Sequence, residues 1–169
     1  GTLDITSAGA VTDSGTLAIT GVTTISASGQ DITLDDASST FGTLVLTGAN
    51  VAVTEAAATD LGASTVSGTL GVISTGAVTD SGTLAIAGAT TISASGQDIT
   101  LSETASTFGT ISVTGANVAV TDAGAVDLGT STVSGTLGIT SGGAVTDSGT
   151  LAITGVTTIS ASGQDITLS

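Results

Sequence analysis

GTLAITGVTTISASGQDITL, residues 15–34, returns at 82–101 as GTLAIAGATTISASGQDITL and at 149–168 letter for letter as it first stood. The offset is sixty-seven positions each time, and the middle copy differs only in Ala87 for Thr20 and Ala89 for Val22. The rest of the chain keeps this register. Phe41 answers to Phe108, TGANVAVT at 47–54 to 114–121, DLG at 60–62 to 127–129, and STVSGTLG at 64–71 to 131–138. Self-similarity of this length marks a repeat architecture, in which each unit buries its apolar side only against its neighbours. The chain therefore divides into residues 1–67, 68–134 and a partial third copy, 135–169, forming one continuous solenoid with no separate globular domain.

Inside each repeat the pattern has period two. TLAIT (16–20), DITL (31–34), TLVLT (43–47) and NVAVT (50–54) alternate aliphatic residues with Thr, Ser or Ala, as half-buried strands do. Gly, Asn, Ser and Asp interrupt these runs every seven to nine residues. Helix fits poorly, because β-branched residues dominate, Gly is frequent and no 3.6-residue apolar stripe runs through them. About nine strand-sized units fill one repeat, which gives roughly three solenoid turns of about 22 residues. A shift of 22 places Ile19 on Phe41, Val22 on Leu44 and Leu44 on Val66. The GTL-type starts at 15, 42 and 68 are less regular. The expected fold is all-β, a right-handed parallel β-helix, the hand following from the chirality of parallel crossovers.

Composition limits what such a rod can do. The chain has 169 residues, 40% hydrophobic and 1% aromatic, with a mean hydropathy of +0.59. Its core must therefore be thin. Fourteen carboxylates and no Lys, Arg or His give a formal charge of −14. Without cations there is nothing to contact phosphates, so nucleic acid is excluded as a partner and attraction to anionic lipid is not expected. Absence of Cys removes disulfides and thiolate metal sites. No apolar run approaches the ~18 residues of a transmembrane helix. No leader is visible and there is no Met, so the chain reads as an interior piece of a longer precursor.

The Gly-Thr-Leu-x-Ile-Thr runs, the Ala-Asn-Val-Ala-Val segments and the cation-poor, Cys-free composition resemble the giant bacterial repeat adhesins of the filamentous haemagglutinin and autotransporter type. That resemblance implies a secreted or surface-anchored β-helix used as a stalk, adhesin or matrix fibre. It implies an extracellular location, and partners that are further copies of the same chain, end to end or side by side, or surface and matrix glycans. The Gly-Gly-x-Gly-x-Asp run of calcium-binding nonapeptide repeats is absent.

Carboxylates are the only candidates for chemistry. Asp13, Asp80 and Asp147 share one repeat position; Asp31, Asp98 and Asp165 share another; Asp36 pairs with Glu103, Glu55 with Asp122, and Asp60 with Asp127. Paired carboxylates can do acid–base work, yet no His, Tyr, Lys or Arg is present to tune them. They read instead as turn residues and solvated faces. No enzyme is expected and no cofactor is required. At about 4.8 Å per turn the charges fall about 2.6 Å apart along the axis, a density that gathers Ca²⁺ or other divalent counterions. Equivalent carboxylates three turns apart stand about 14 Å from each other, so a specific metal site must combine different positions, such as Asp35 with Asp36.

Asn50 and Asn117 read as turn residues that tolerate unusual backbone angles or bond their neighbours, and Phe41 and Phe108 as interior plugs. Two alternatives to the shaft are an array of Ig-like sandwiches, which needs a thicker core than one Phe per repeat supplies, and a carbohydrate-acting or ice-binding β-helix. The Thr residues form no clean two-column ladder of the kind ice binding would need.

Overall fold

A computed structural model describes all 169 residues. It contains strands and turns and no helix, so no helix is long and apolar enough to cross a membrane. The chain winds as a β-solenoid with two sheets, each a stack nine strands deep along its main path. One face begins with Leu3–Thr6 and continues through Thr23–Ser26 and Thr43–Gly48; the other begins with Val11–Thr12, then Ile32–Leu34 and Val51–Glu55. Every pairing is parallel, so each strand finds its partners in the turns above and below. An antiparallel Ig-like sandwich is thereby ruled out.

The winding does not complete a whole number of turns per repeat. Thr23–Ser26 lies on the first face, and its copy Thr90–Ser93 lies on the second. Ile32–Leu34 on the second face has its copy Ile99–Leu101 on the first. One repeat therefore makes three and a half turns, with a typical step of 19 residues, rather than three turns of 22. Individual steps vary. Thr43 pairs with Asp60, Asp60 with Thr79, and Thr79 with Thr100, so the step lengthens from 17 to 19 to 21 positions. The 22-residue step exists only locally, as the bridges Ala18 to Thr40 and Ala85 to Thr107. Val22 accordingly does not lie under Leu44, which pairs with Thr23, and Leu44 is followed by Leu61 rather than Val66.

The uneven steps have a local cause. Thr43–Gly48 faces two shorter strands, Thr59–Leu61 and Ser64–Val66; an advance of three from Leu44 to Thr47 opposes an advance of four from Leu61 to Thr65. This is a one-residue β-bulge. The Ser64 hydroxyl repairs the broken ladder: it accepts the Leu46 N–H at 3.0 Å and donates to the Gly62 carbonyl at 2.9 Å. Ser131 does the same for Val113 and Gly129 in the next copy.

Turns are stacked as well as strands, since 48 of the 99 backbone hydrogen bonds lie outside the strands. In the SGQD turn Gln30 N–H closes onto the Ala27 carbonyl at 2.9 Å, and Gly29 between them takes φ 73°. A side chain is disfavoured in that left-handed region, and Gly96 and Gly163 repeat it. At another corner the backbones nearly touch: a Cβ on Gly42 would stand 2.5 Å from the Gly21 carbonyl oxygen.

Alternation of the strands sends every second residue inward, forming one apolar cluster of 32 buried residues along the axis. Phe41 and Phe108 are buried in it, as their plug role requires. The outward columns are small and mostly uncharged, for example Thr12, Thr33, Ala52, Gly71, Thr91 and Ser112 on the second face.

Candidate functional site

Several polar side chains that recur from repeat to repeat hold one turn of the solenoid on the next. Asp31 Oδ1 accepts both the backbone N–H of Asn50, at 3.1 Å, and its side-chain amide, at 3.0 Å. Asn50 Oδ1 in turn accepts the N–H and the hydroxyl of Thr69, each at 3.1 Å. Steps of 19 residues bring Asp31, Asn50 and Thr69 into one column across three turns. Asp98, Asn117 and Thr136 rebuild that column on the opposite face. Asn50 thus works by bonding its neighbours above and below. Its backbone is ordinary, since no residue other than Gly has a positive φ.

Asp13 does similar work at a different corner. Its two oxygens accept the N–H groups of Asp35 and Asp36, at 3.1 and 3.3 Å, and Asp80 holds Ser102 and Glu103 in the same way. Asp60 lies on a sheet face, where it accepts hydroxyls from Thr43 at 2.8 Å on one side and Ser81 at 2.7 Å on the other. Asp127 repeats this with Thr110 and Ser148. Hydrogen bonds to an ionised acceptor are the stronger kind, so each carboxylate stabilises the turn it touches while keeping its charge at the surface.

The metal candidates fare differently. Asp35 is exposed, whereas Asp36 is half-buried and turned to Ser38 N–H, at 2.9 Å, and the Thr16 hydroxyl, at 3.3 Å. Asp36 is therefore an Asx-turn residue rather than one arm of a pair with Asp35. No group of three acidic side chains stands close enough to hold a metal ion. Equivalent carboxylates are three and a half turns apart and on opposite faces, about 17 Å along the axis instead of 14.

One pair departs from the expected solvated role. Glu55 and Asp122 occupy the same repeat position and are buried, at 0% and 2% exposure. Glu55 Oε1 accepts the Phe41 N–H at 2.8 Å; Asp122 Oδ2 accepts the Phe108 N–H at 2.9 Å. Each carboxylate stands in for a ladder carbonyl where the chain enters with its Phe. Burial raises both carboxyls above their ordinary values, against a smaller opposing pull from the hydrogen bonds they accept. Sequence could have signalled this pair, because Glu55 and Asp122 fall on the inward phase of VAVTE and VAVTD, two residues after Val53 and Val120.

The largest hollows lie over the terminal turns: about 580 Å³ beside Asp147–Leu151, and about 490 Å³ over Leu3, Ile5, Val11 and Leu17. Along the rod the hollows are smaller, about 290 and 190 Å³, the larger of them where Gly71 lies between Ala52 and Thr91.

These features define a repeat solenoid whose polar groups are structural fasteners. The chain belongs to the family described as repeats of unknown function (DUF5649), which matches it at residues 1–47, 48–114 and 115–169. The central match has the length of one full repeat. No curated protein and no solved structure matches the chain.

Proposed function

We propose that this chain is a shaft segment of an extracellular bacterial filament or giant surface adhesin, serving adhesion, matrix or surface-fibre formation by its length and stiffness. The observation that carries this reading is the use of the acidic residues. Ten of the fourteen carboxylates accept hydrogen bonds within the rod, eight of them from a neighbouring turn. Along the rod only Asp31 borders a hollow, and no two carboxylates meet in one; the reading involves no catalysis and no resident cofactor. Stability in such a stack is approximately the sum of nearest-neighbour terms, so length is added without a new core. Divalent counterions are drawn to the acidic surface, about one formal charge per 3 Å of axis.

In this reading the partners are further copies of the repeat, end to end or side by side, with surface or matrix glycans as ligands. Electron microscopy of concatemers tests the shaft: a smooth thin rod should lengthen by about 17 Å per added repeat, at about 4.8 Å per turn. Beads on a string would overturn it. Sedimentation at high concentration tests self-association, and a strictly monomeric chain would count against end-to-end partners.

A further inference from the structure

Glu55 is a carboxylate with no cationic side chain anywhere in the chain to meet it. Phe41 N–H approaches one of its oxygens, while Oε2 is buried without a hydrogen-bond partner. The hydroxyl of Thr59 is buried and also makes no hydrogen bond; as a donor beside Glu55 it would favour the ionised form, a smaller pull than the burial that favours the acid. Ser74, paired with Glu55 from the next turn, is already engaged, its hydroxyl donated to the Ala57 and Gly76 carbonyls. In the preceding turn the register set by Leu34 and Val53 brings Asp36 alongside Glu55, and Asp36 is held by Thr16 and Ser38. Nothing facing Glu55 is positively charged.

The second copy solves the same problem differently. Asp122 has N–H donors on both oxygens, Phe108 at 2.9 Å and Gly124 at 2.6 Å, and Val126 replaces Thr59. Titratable neighbours there are Glu103, in the loop that leaves Ile99–Leu101, and Asp80, which holds that loop's backbone. Burial favours the acid at both corners, but two N–H donors oppose it at Asp122 and only one at Glu55, where the second oxygen is left without a partner.

We propose that Glu55 is a proton-gated latch: as the neutral acid, with its proton on Oε2 toward Thr59, it pins Phe41 and closes the turn, and on losing that proton it releases the corner. The Asp122 corner is a more firmly held version of the same device, with a second N–H donor on its carboxylate. Proton loss leaves an unpaired charge in an apolar corner, which is relieved by swinging the side chain to water. Phe41 N–H then loses its acceptor, and the Phe41 plug loses its anchor. The rod carries one acid-closed joint and, a full repeat further along, one that opens less readily because both carboxylate oxygens keep N–H donors.

Nuclear magnetic resonance on the full, isotope-labelled chain tests this, reading the Glu55 and Asp122 carboxyl carbons and the exchange protection of the Phe41 and Phe108 amides. The Glu55 carboxyl should titrate above the ordinary 4.5 of the free group, and Phe41 protection should fall across that titration by about tenfold for each unit of the upward shift. Phe108 protection should change less. Glu55→Gln, a neutral isostere, should hold Phe41 protection constant with pH. Titration of Glu55 together with the surface carboxylates, or equal behaviour of Phe41 and Phe108, would overturn the proposal. Unchanged pH dependence in Glu55→Gln would do so too. Should that variant not fold, the comparison of Phe41 with Phe108 in the unaltered chain decides alone.

Discussion

Thr65 and Thr132 are the same residue of successive repeats, both exposed, and they point to opposite sides of the rod. Three and a half turns separate them, about 17 Å along the axis, and the two sheets add about 10 Å across it. Spin labels on Thr65→Cys and Thr132→Cys should therefore report a Cβ separation of about 20 Å. A separation of about 14 Å would restore three whole turns and sink the half-turn assignment.

Removing Asn50 should cost more than an exposed residue normally does. Asn50→Ala takes from Asp31 its side-chain amide donor and from Thr69 its acceptor. A loss of about 1–2 kcal/mol by urea denaturation is expected. In the cycle with Asp31→Ala the two changes should couple by at least about 0.5 kcal/mol. Simple additivity would show that the column contributes nothing as a unit.

Asp31 and Asn50 are visible in the sequence as repeat positions, and the strands around them are visible as alternation. Their partnership is not, because it depends on a 19-residue step and a search for whole turns per repeat returns 22. The bulge at Gly62–Ser64 hides the true step, since Ser64 supplies a ladder acceptor with its side chain and no periodic apolar signal records that. Glu55 is obscured for a different reason: acidic residues are almost never fully buried, so its inward phase is outweighed by its charge.

Glycine substitutions should separate crowding from conformation. Gly42→Ala should destabilise by more than about 1 kcal/mol, because its new Cβ would press on the Gly21 carbonyl, backbone against backbone. Gly29→Ala has open space around it and should destabilise through its positive φ alone, by about 1 kcal/mol. Gly15→Ala, with open space and no such constraint, should be neutral or stabilising by about 0.5 kcal/mol. Thermal melts of the three variants check the order. A melt in which Gly42→Ala matches Gly15→Ala would mean the corners can spread.

Acidity should favour the folded rod. The folded forms of Glu55 and Asp122 hold their protons more tightly than the ordinary 4.5 and 3.8 of the free groups. Their contribution is therefore fully present below those values and is lost as pH rises through the raised ones. Urea midpoints should fall over that window. The surface carboxylates repel one another across the same range, so the double variant Glu55→Gln, Asp122→Asn isolates the buried share by flattening part of the slope. An unaltered slope in a folded double variant would assign the whole effect to the surface.

Phe41→Ala should cost about 3 kcal/mol or more, as loss of a large buried side chain does. Because each turn touches only its neighbours, the damage should stay local. Hydrogen exchange should loosen Thr43–Gly48 and leave the distant Leu137–Ser141 protected. Uniform loss of protection would mean the rod unfolds as one cooperative block.

The half-turn left over by each repeat makes repeat number a matter of parity. Gain or loss of one unit lengthens or shortens the rod by about 17 Å and also swings everything beyond it through half a revolution. Only changes by pairs of units preserve the azimuth of the residues beyond them. Two variants that differ by one repeat would present their far ends to opposite sides, so a count that alters reach by little decides which way the distal part looks.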